Sequence, residues 1–132
     1  MDLRPGLTGH AELMVGEEHT APRVGSGKVH VLATPVMINL IEAAALQAIE
    51  SLLQPGYQSL GTHLDVHHVA ATPVGMKARA TAEVTKVDGR TVTFKVEVRD
   101  EKDLIGHGTH VRVVVNVEKF DARVRKKLRV NE

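Results

Sequence analysis

The chain has 132 residues, the length of one ordinary domain, and its seventeen basic and sixteen acidic side chains leave a formal charge of +1. That balance argues against a nucleic-acid binder with a strongly basic face, and aromatics at 2% (Tyr57, Phe94, Phe120) deny it stacking platforms. The absence of cysteine excludes a disulfide framework, a thiolate nucleophile, an iron–sulfur cluster and a cysteine zinc site.

Apolar residues make up 42% of the chain, so an aliphatic core of Val, Leu, Ile and Ala is expected in a single domain spanning residues 1–132. No apolar run approaches the ~20 residues of a bilayer span. No hydrophobic signal segment follows MDLRPGLTGH, so the expected location is cytoplasmic, with no membrane partner. Charge is uneven. Residues 118–132 carry Lys119, Arg123, Arg125, Lys126, Lys127 and Arg129 against Glu118, Asp121 and Glu132, a balance of +3, while the first 117 residues carry −2. This short basic tail reads either as a solvated terminus or as a local attraction for an anionic group such as a cofactor phosphate.

In chain order, residues 10–15 (Glu12 to Val15) predict a strand ended by Gly16, and 16–27, marked by Gly16, Pro22, Gly25 and Gly27, predict a loop. A short extended piece, Val29–Leu32, leads to Ala33. Thr34 is placed to cap a helix whose first residue is Pro35, running to Leu53. Its stripe is Ile38, Ile41, Ala45, Leu46, Ile49 and Leu52, and much of the opposite side is also apolar. A helix apolar around its girth must be wrapped by other structure or covered by a partner subunit. Gln54-Pro55-Gly56 stops it.

The remainder reads as strand. Residues 60–69 place His63, Asp65 and His67 on one side and Leu64, Val66 and His68 on the other. After the loop 71–75, strand 77–87 turns at Asp88-Gly89 into strand 91–99, with Val92, Phe94, Val96 and Val98 inward. The charged turn Asp100–Asp103 leads into a last strand, 104–117. One strand, one apolar helix and four further strands joined by short connections predict an α+β fold, a curled antiparallel sheet wrapped around a central helix. The unpaired sheet edges predict at least a homodimer, with a dimer of dimers left open.

Three polar residues stand in apolar settings. Glu42 lies on the helix stripe, where a carboxylate is costly unless paired or neutral; it reads either as a structural ion pair or as a general base or nucleophile. His68 shares its strand face with Leu64 and Val66, and reads as a core histidine bonded to a carbonyl or as the partner of Glu42 in activating water. Thr34 reads as the helix cap or as a hydroxyl for substrate or water. It lies eight residues from Glu42, about 12 Å along the helix and about 80° round it, so the two cannot touch. His63, Asp65, His67, His107 and His110 offer only a loose metal pattern, with no HExxH and no cysteine pair, so no metal is expected.

The segments Thr34–Glu42 (TPVMINLIE), Ser59–Thr62 (SLGT), His68–Gly75 (HVAATPVG), Gly106–Arg112 (GHGTHVR) and Val117–Arg125 (VEKFDARVR) together resemble the fluoroacetyl-CoA thioesterase-like family of the hotdog-fold thioesterase superfamily. The resemblance covers roughly residues 30–127. It implies a hotdog dimer binding an acyl-CoA substrate at the subunit interface, with no metal and no cofactor, coenzyme A being part of the substrate. The family's catalytic threonine, glutamate and histidine fall on Thr34, Glu42 and His68, its glycine beside the acyl group on Gly61, and its arginine on Arg112. One departure stands out: the family's phenylalanine-bearing segment before the threonine corresponds here to residues 22–33, which hold no aromatic residue. The expectation is therefore an acyl-CoA thioesterase for a small or medium acyl group, not one that discriminates fluorine. Its alternative is a non-catalytic acyl-CoA binding protein on the same fold, and a hydratase fits the motifs poorly.

Overall fold

The computed structural model describes residues 2–128. The chain runs through β1 (Thr8–Met14), a 3-10 turn (Glu17–His19), α1 (Ala21–Val24), α2 (Thr34–Ile49) with a trailing 3-10 turn (Glu50–Leu52), then β2 (Tyr57–His68), β3 (Lys77–Asp88), β4 (Thr91–Arg99), β5 (Leu104–Asn116) and α3 (Val117–Arg125). The five strands form one antiparallel sheet in the order β1-β3-β4-β5-β2.

Strict alternation builds its centre. Val92, Phe94, Val96 and Val98 of β4 are buried beside Ala78, Ala80, Ala82 and Val84 of β3, while intervening residues such as Lys95 face out. Gly89, at φ +60°, makes the two-residue connection between these strands.

Helix α2 lies across the concave face, nearest to β1. Gly9 of β1 permits the approach: a side chain there would run into the backbone of Ala44 and Ala48. Its buried side is Met37, Leu40, Ile41, Ala44, Ala45, Ala48 and Ile49. This stripe is rotated from the expected one, with Ile38 and Leu46 only half-buried, because Ala44 and Ala48 let the helix roll toward β1. The roll carries Glu42 out of the core to its margin. By length and mean hydropathy of 1.2, Thr34–Leu52 matches a bilayer span after all, but its apolar face is spent on the sheet.

Other differences are local. Residues 16–27 are not plain loop: Pro22 sits in the first turn of α1, which Gly25 ends at φ +91°. The expected extended piece reduces to one bridge between Leu32 and Thr20. Ala33, not Thr34, caps α2, and Thr34 is its first residue. In the basic tail, Asn116 caps α3 by accepting a bond from the Lys119 backbone N–H at 3.0 Å. Arg129 and Glu132 lie outside the described residues.

Strand β2 has an irregularity that matters for the site. It pairs with β5 through Gly61↔Arg112 and then His63↔Val111, so Thr62 is an extra, unmatched residue. Before this bulge the odd positions Ser59 and Gly61 lie on the concave side; after it the even positions Leu64, Val66 and His68 do, with Leu64 at its exposed margin.

Candidate active site

Thr34 and His68 meet at the N-terminus of α2. Because Ala33 takes the cap position, the Thr34 hydroxyl is free to bond elsewhere, and its Oγ1 lies 2.7 Å from His68 Nδ1. The other imidazole nitrogen, Nε2, is buried without a partner among the described residues. Burial holds the His68 pKa below the ordinary imidazole value; the Ala70 backbone works in the opposite sense without reaching hydrogen-bond geometry to Nε2. His68 is therefore neutral at physiological pH, poised to exchange a proton with a hydroxyl at hydrogen-bond distance. The pair opens on a cleft of about 390 Å³, lined also by Lys28, Val29, Leu32 and Ala71 and by no carboxylate.

A second cluster gathers around Arg112 on β5. Its side chain is 8% exposed and every guanidinium nitrogen is engaged. Nε donates to Ser59 Oγ at 2.8 Å, Nη2 to the Ser59 carbonyl at 3.1 Å, and Nη1 to both Glu42 Oε2 at 3.3 Å and His110 Nε2 at 3.2 Å. Glu42 is thus ion-paired, but its side chain is 38% exposed, so it is the rim of the cluster rather than a core charge. Gly61 leaves the space this carboxylate occupies: an added Cβ would collide with Glu42 Oε2 and lie 3.1 Å from His110 Cε1.

The sequence-derived residues therefore fall into two groups, Thr34 with His68 and Glu42 with Gly61 and Arg112. No hydrogen bond joins the groups among the described residues, in keeping with the helical spacing of Thr34 and Glu42. Ser59 and His110 complete the second group and were not singled out as site residues. The signal for His110 was present, since it alternates on β5 with Arg112 and faces inward. His107 has the opposite parity and stacks outside on His67 at 5.3 Å. Among the described residues, no three His, Asp or Glu side chains come together as a metal site.

The model of the fluoroacetyl-CoA-specific thioesterase family matches residues 15–118, a span that holds both clusters. The chain belongs to that family. Within the fluoroacetyl-CoA-specific thioesterase family, the chain is 46% identical over 97 residues to the fluoroacetyl-CoA thioesterase of Streptantibioticus cattleyicolor, covering 74% of this chain and 70% of that one. A solved structure of a fluoroacetyl-CoA thioesterase superposes with a TM-score of 0.91 at 37% identity, covering 96% of this chain and 98% of the other. A Thermus thermophilus protein described as a thioesterase superfamily member gives 0.88 at 31% identity, covering 96% and 94%. A hot-dog-like protein from Thermanaerovibrio acidaminovorans, 21% identical with a TM-score of 0.90 over 99% of this chain and 100% of its own, shares the fold. The family's curled hotdog sheet is the one described above.

Proposed function

We propose that the protein hydrolyses a small or medium acyl-CoA to the carboxylate and free coenzyme A, using Thr34, Glu42 and His68. Thioester hydrolysis is the reaction of the family to which the chain belongs. The observation that carries the site assignment is the 2.7 Å bond between Thr34 and a half-buried, neutral His68 at the mouth of a cleft.

In this reading the Thr34 hydroxyl donates to His68 Nδ1, which leaves the imidazole proton on the unpartnered Nε2. Glu42 Oε2 is held by Arg112, and Oε1 takes a proton from the attacking water. The water oxygen bonds to the thioester carbon, the C–S bond breaks, and the proton taken up by Glu42 passes to the departing thiolate, which the neutral His68 Nε2–H steadies by a hydrogen bond. Backbone N–H groups near Gly61 and at the α2 N-terminus face the negative charge that develops on the carbonyl oxygen. No resident cofactor or metal enters the reaction, and the setting is cytoplasmic.

The working unit is a homodimer that places coenzyme A at the subunit interface. Support comes from β2, an edge strand whose Leu60 and Leu64, with Val69 just beyond its end, are exposed in the single chain and whose free side has no strand partner among the described residues. The segment 22–33 that borders the cleft has no Phe, Tyr or Trp, which supports a site with little selectivity for fluorine.

Thiol release at pH 7.5 from acetyl-, fluoroacetyl-, medium-chain and arylacetyl-CoA tests the reading. Turnover is expected on a small- or medium-acyl subset, at similar rates for acetyl and fluoroacetyl. His68→Ala and Glu42→Gln should each lower kcat by about 10²-fold or more while still binding the substrate. Wild-type turnover in either variant would refute its assignment. Ligand-stabilised melting of the wild type with no turnover on any thioester would favour a binding protein instead.

A further inference from the structure

His110 is fully buried on the concave face, stacked 6.0 Å from Phe94, and the reaction outlined above makes no use of it. An apolar side chain would fill the same volume without the cost of burying two ring nitrogens. What sets the histidine apart is that both nitrogens are used. Nδ1 lies 2.9 Å from the carbonyl oxygen of His63, which only accepts, so Nδ1 carries the proton. Nε2 is then a bare lone pair, and it accepts from Arg112 Nη1 at 3.2 Å. Burial, seconded by the Arg112 charge, keeps the pKa of this ring below its usual value, so it does not turn into a second donor facing the guanidinium.

The Nη1 that His110 holds is the nitrogen that donates to Glu42 Oε2. Ser59 fixes the opposite side of the same plane through its hydroxyl and its carbonyl. Take away the Nε2 acceptor and a buried N–H of Arg112 loses its partner, so the guanidinium turns to recover one. Glu42 is tied to the protein by that one hydrogen bond among the described residues, and it follows.

We propose that His110 is a positioning residue: its Nε2 acceptor, with Ser59, locks the Arg112 plane and through it sets where the Glu42 carboxylate stands. The inference rests on Glu42 being a reacting group.

Two substitutions separate the two ends of the ring. His110→Gln places an amide oxygen near the Nε2 position, where it can accept from Arg112. His110→Asn places an amide N–H near the Nδ1 position, where it can serve the His63 carbonyl but leaves Arg112 unmet. Steady-state thiol release and melting temperature are measured for both, with Glu42→Gln alongside. The expected result is a fall in kcat of about tenfold or more for His110→Asn with KM within about twofold, and recovery to within about threefold of wild type for His110→Gln. A purely structural role predicts that kcat in both variants simply tracks melting temperature, and that pattern overturns the proposal.

Equal kcat in His110→Asn and wild type, with Glu42→Gln inactive, overturns the clamp alone; wild-type turnover in Glu42→Gln overturns the reading of Glu42 and the clamp with it. Should neither His110 variant fold, Ser59→Ala decides: a lower kcat at unchanged KM supports the clamp, and an unchanged kcat overturns it.

Discussion

Replacing Gly61 by alanine puts one methyl group where the Glu42 carboxylate stands. The backbone there is not left-handed, so alanine meets no conformational penalty and the effect is steric. Neither His110 nor Arg112 has room to retreat, since both are buried and bonded, so Glu42, at the exposed rim, moves by roughly 1 Å to reach ordinary contact. Its 3.3 Å pairing with Arg112 stretches past 4 Å. At an effective dielectric near 20 the lost attraction is about 1 kcal/mol, and exposure of the glutamate reduces it further. A melting-point loss of about 3 °C or less follows. With Glu42 as the proposed base, catalysis loses more, because a 1 Å displacement of a reacting group costs about 10²-fold in rate. Gly61→Ala should therefore be folded, barely destabilised and about 10²-fold slower in thiol release. A kcat within threefold of wild type would refute the reasoning, as would a melting-point loss above ~10 °C, which would mean that β2 had changed register.

Three other outcomes follow from the same structure. In the proposed reaction His68 works as the neutral imidazole and burial lowers its pKa, so activity is expected to be lost as pH falls through that lowered value; the acid limb of kcat/KM should lie below about 6.5, and a limb centred above 7 contradicts this. At Asp100, burial pushes the carboxyl pKa up, but bonds from the Lys102 and Asp103 backbone N–H groups and from Thr72 Oγ1 outweigh it and lower the pKa overall. A lowered folded pKa means stability present in full above the unfolded value and lost as pH falls through the folded one. Asp100→Ala should thus cost about 1 kcal/mol at pH 7 in urea melts, a gap that narrows toward pH 3; an equal gap at both would contradict it. With the proposed dimer, light scattering should give two 14.3 kDa chains for the wild type and one for Leu64→Asp on the exposed β2 edge, with reduced turnover; a dimeric variant would send the interface elsewhere.

Much of this was readable along the chain, for reasons that differ by residue. Val92 to Val98 alternate and lie between two strands, so local pattern and tertiary role agree. Glu42 was conspicuous as a carboxylate among aliphatic residues, yet its partner Arg112 is 70 positions away, a pairing that no local spacing encodes. The helix stripe is not legible because both sides of α2 are apolar, and its roll is decided by Gly9 on β1, far away in sequence. The helix starts one residue earlier than Thr34 as a cap predicts: Ala33 caps it with its backbone alone, and the threonine hydroxyl goes to His68. The bulge at Thr62 leaves only a faint mark: a glycine inside a strand, Gly61, hints at one, but no residue pattern says which position is the extra one.

That bulge restricts how this chain can change in length. Loss of Thr62 alone would iron the strand flat and still aim Gly61 and His68 the same way. Gain or loss of one residue anywhere between His63 and His68 would swing the imidazole to the outer surface and break its pairing with Thr34. A two-residue change would restore its aim but displace it by ~7 Å, one full repeat of the pleat, beyond the reach of the hydroxyl. The end of β2 is fixed by parity and by distance together, so length variation near this site has to be absorbed beyond it, in the segment 69–76 that links β2 to β3.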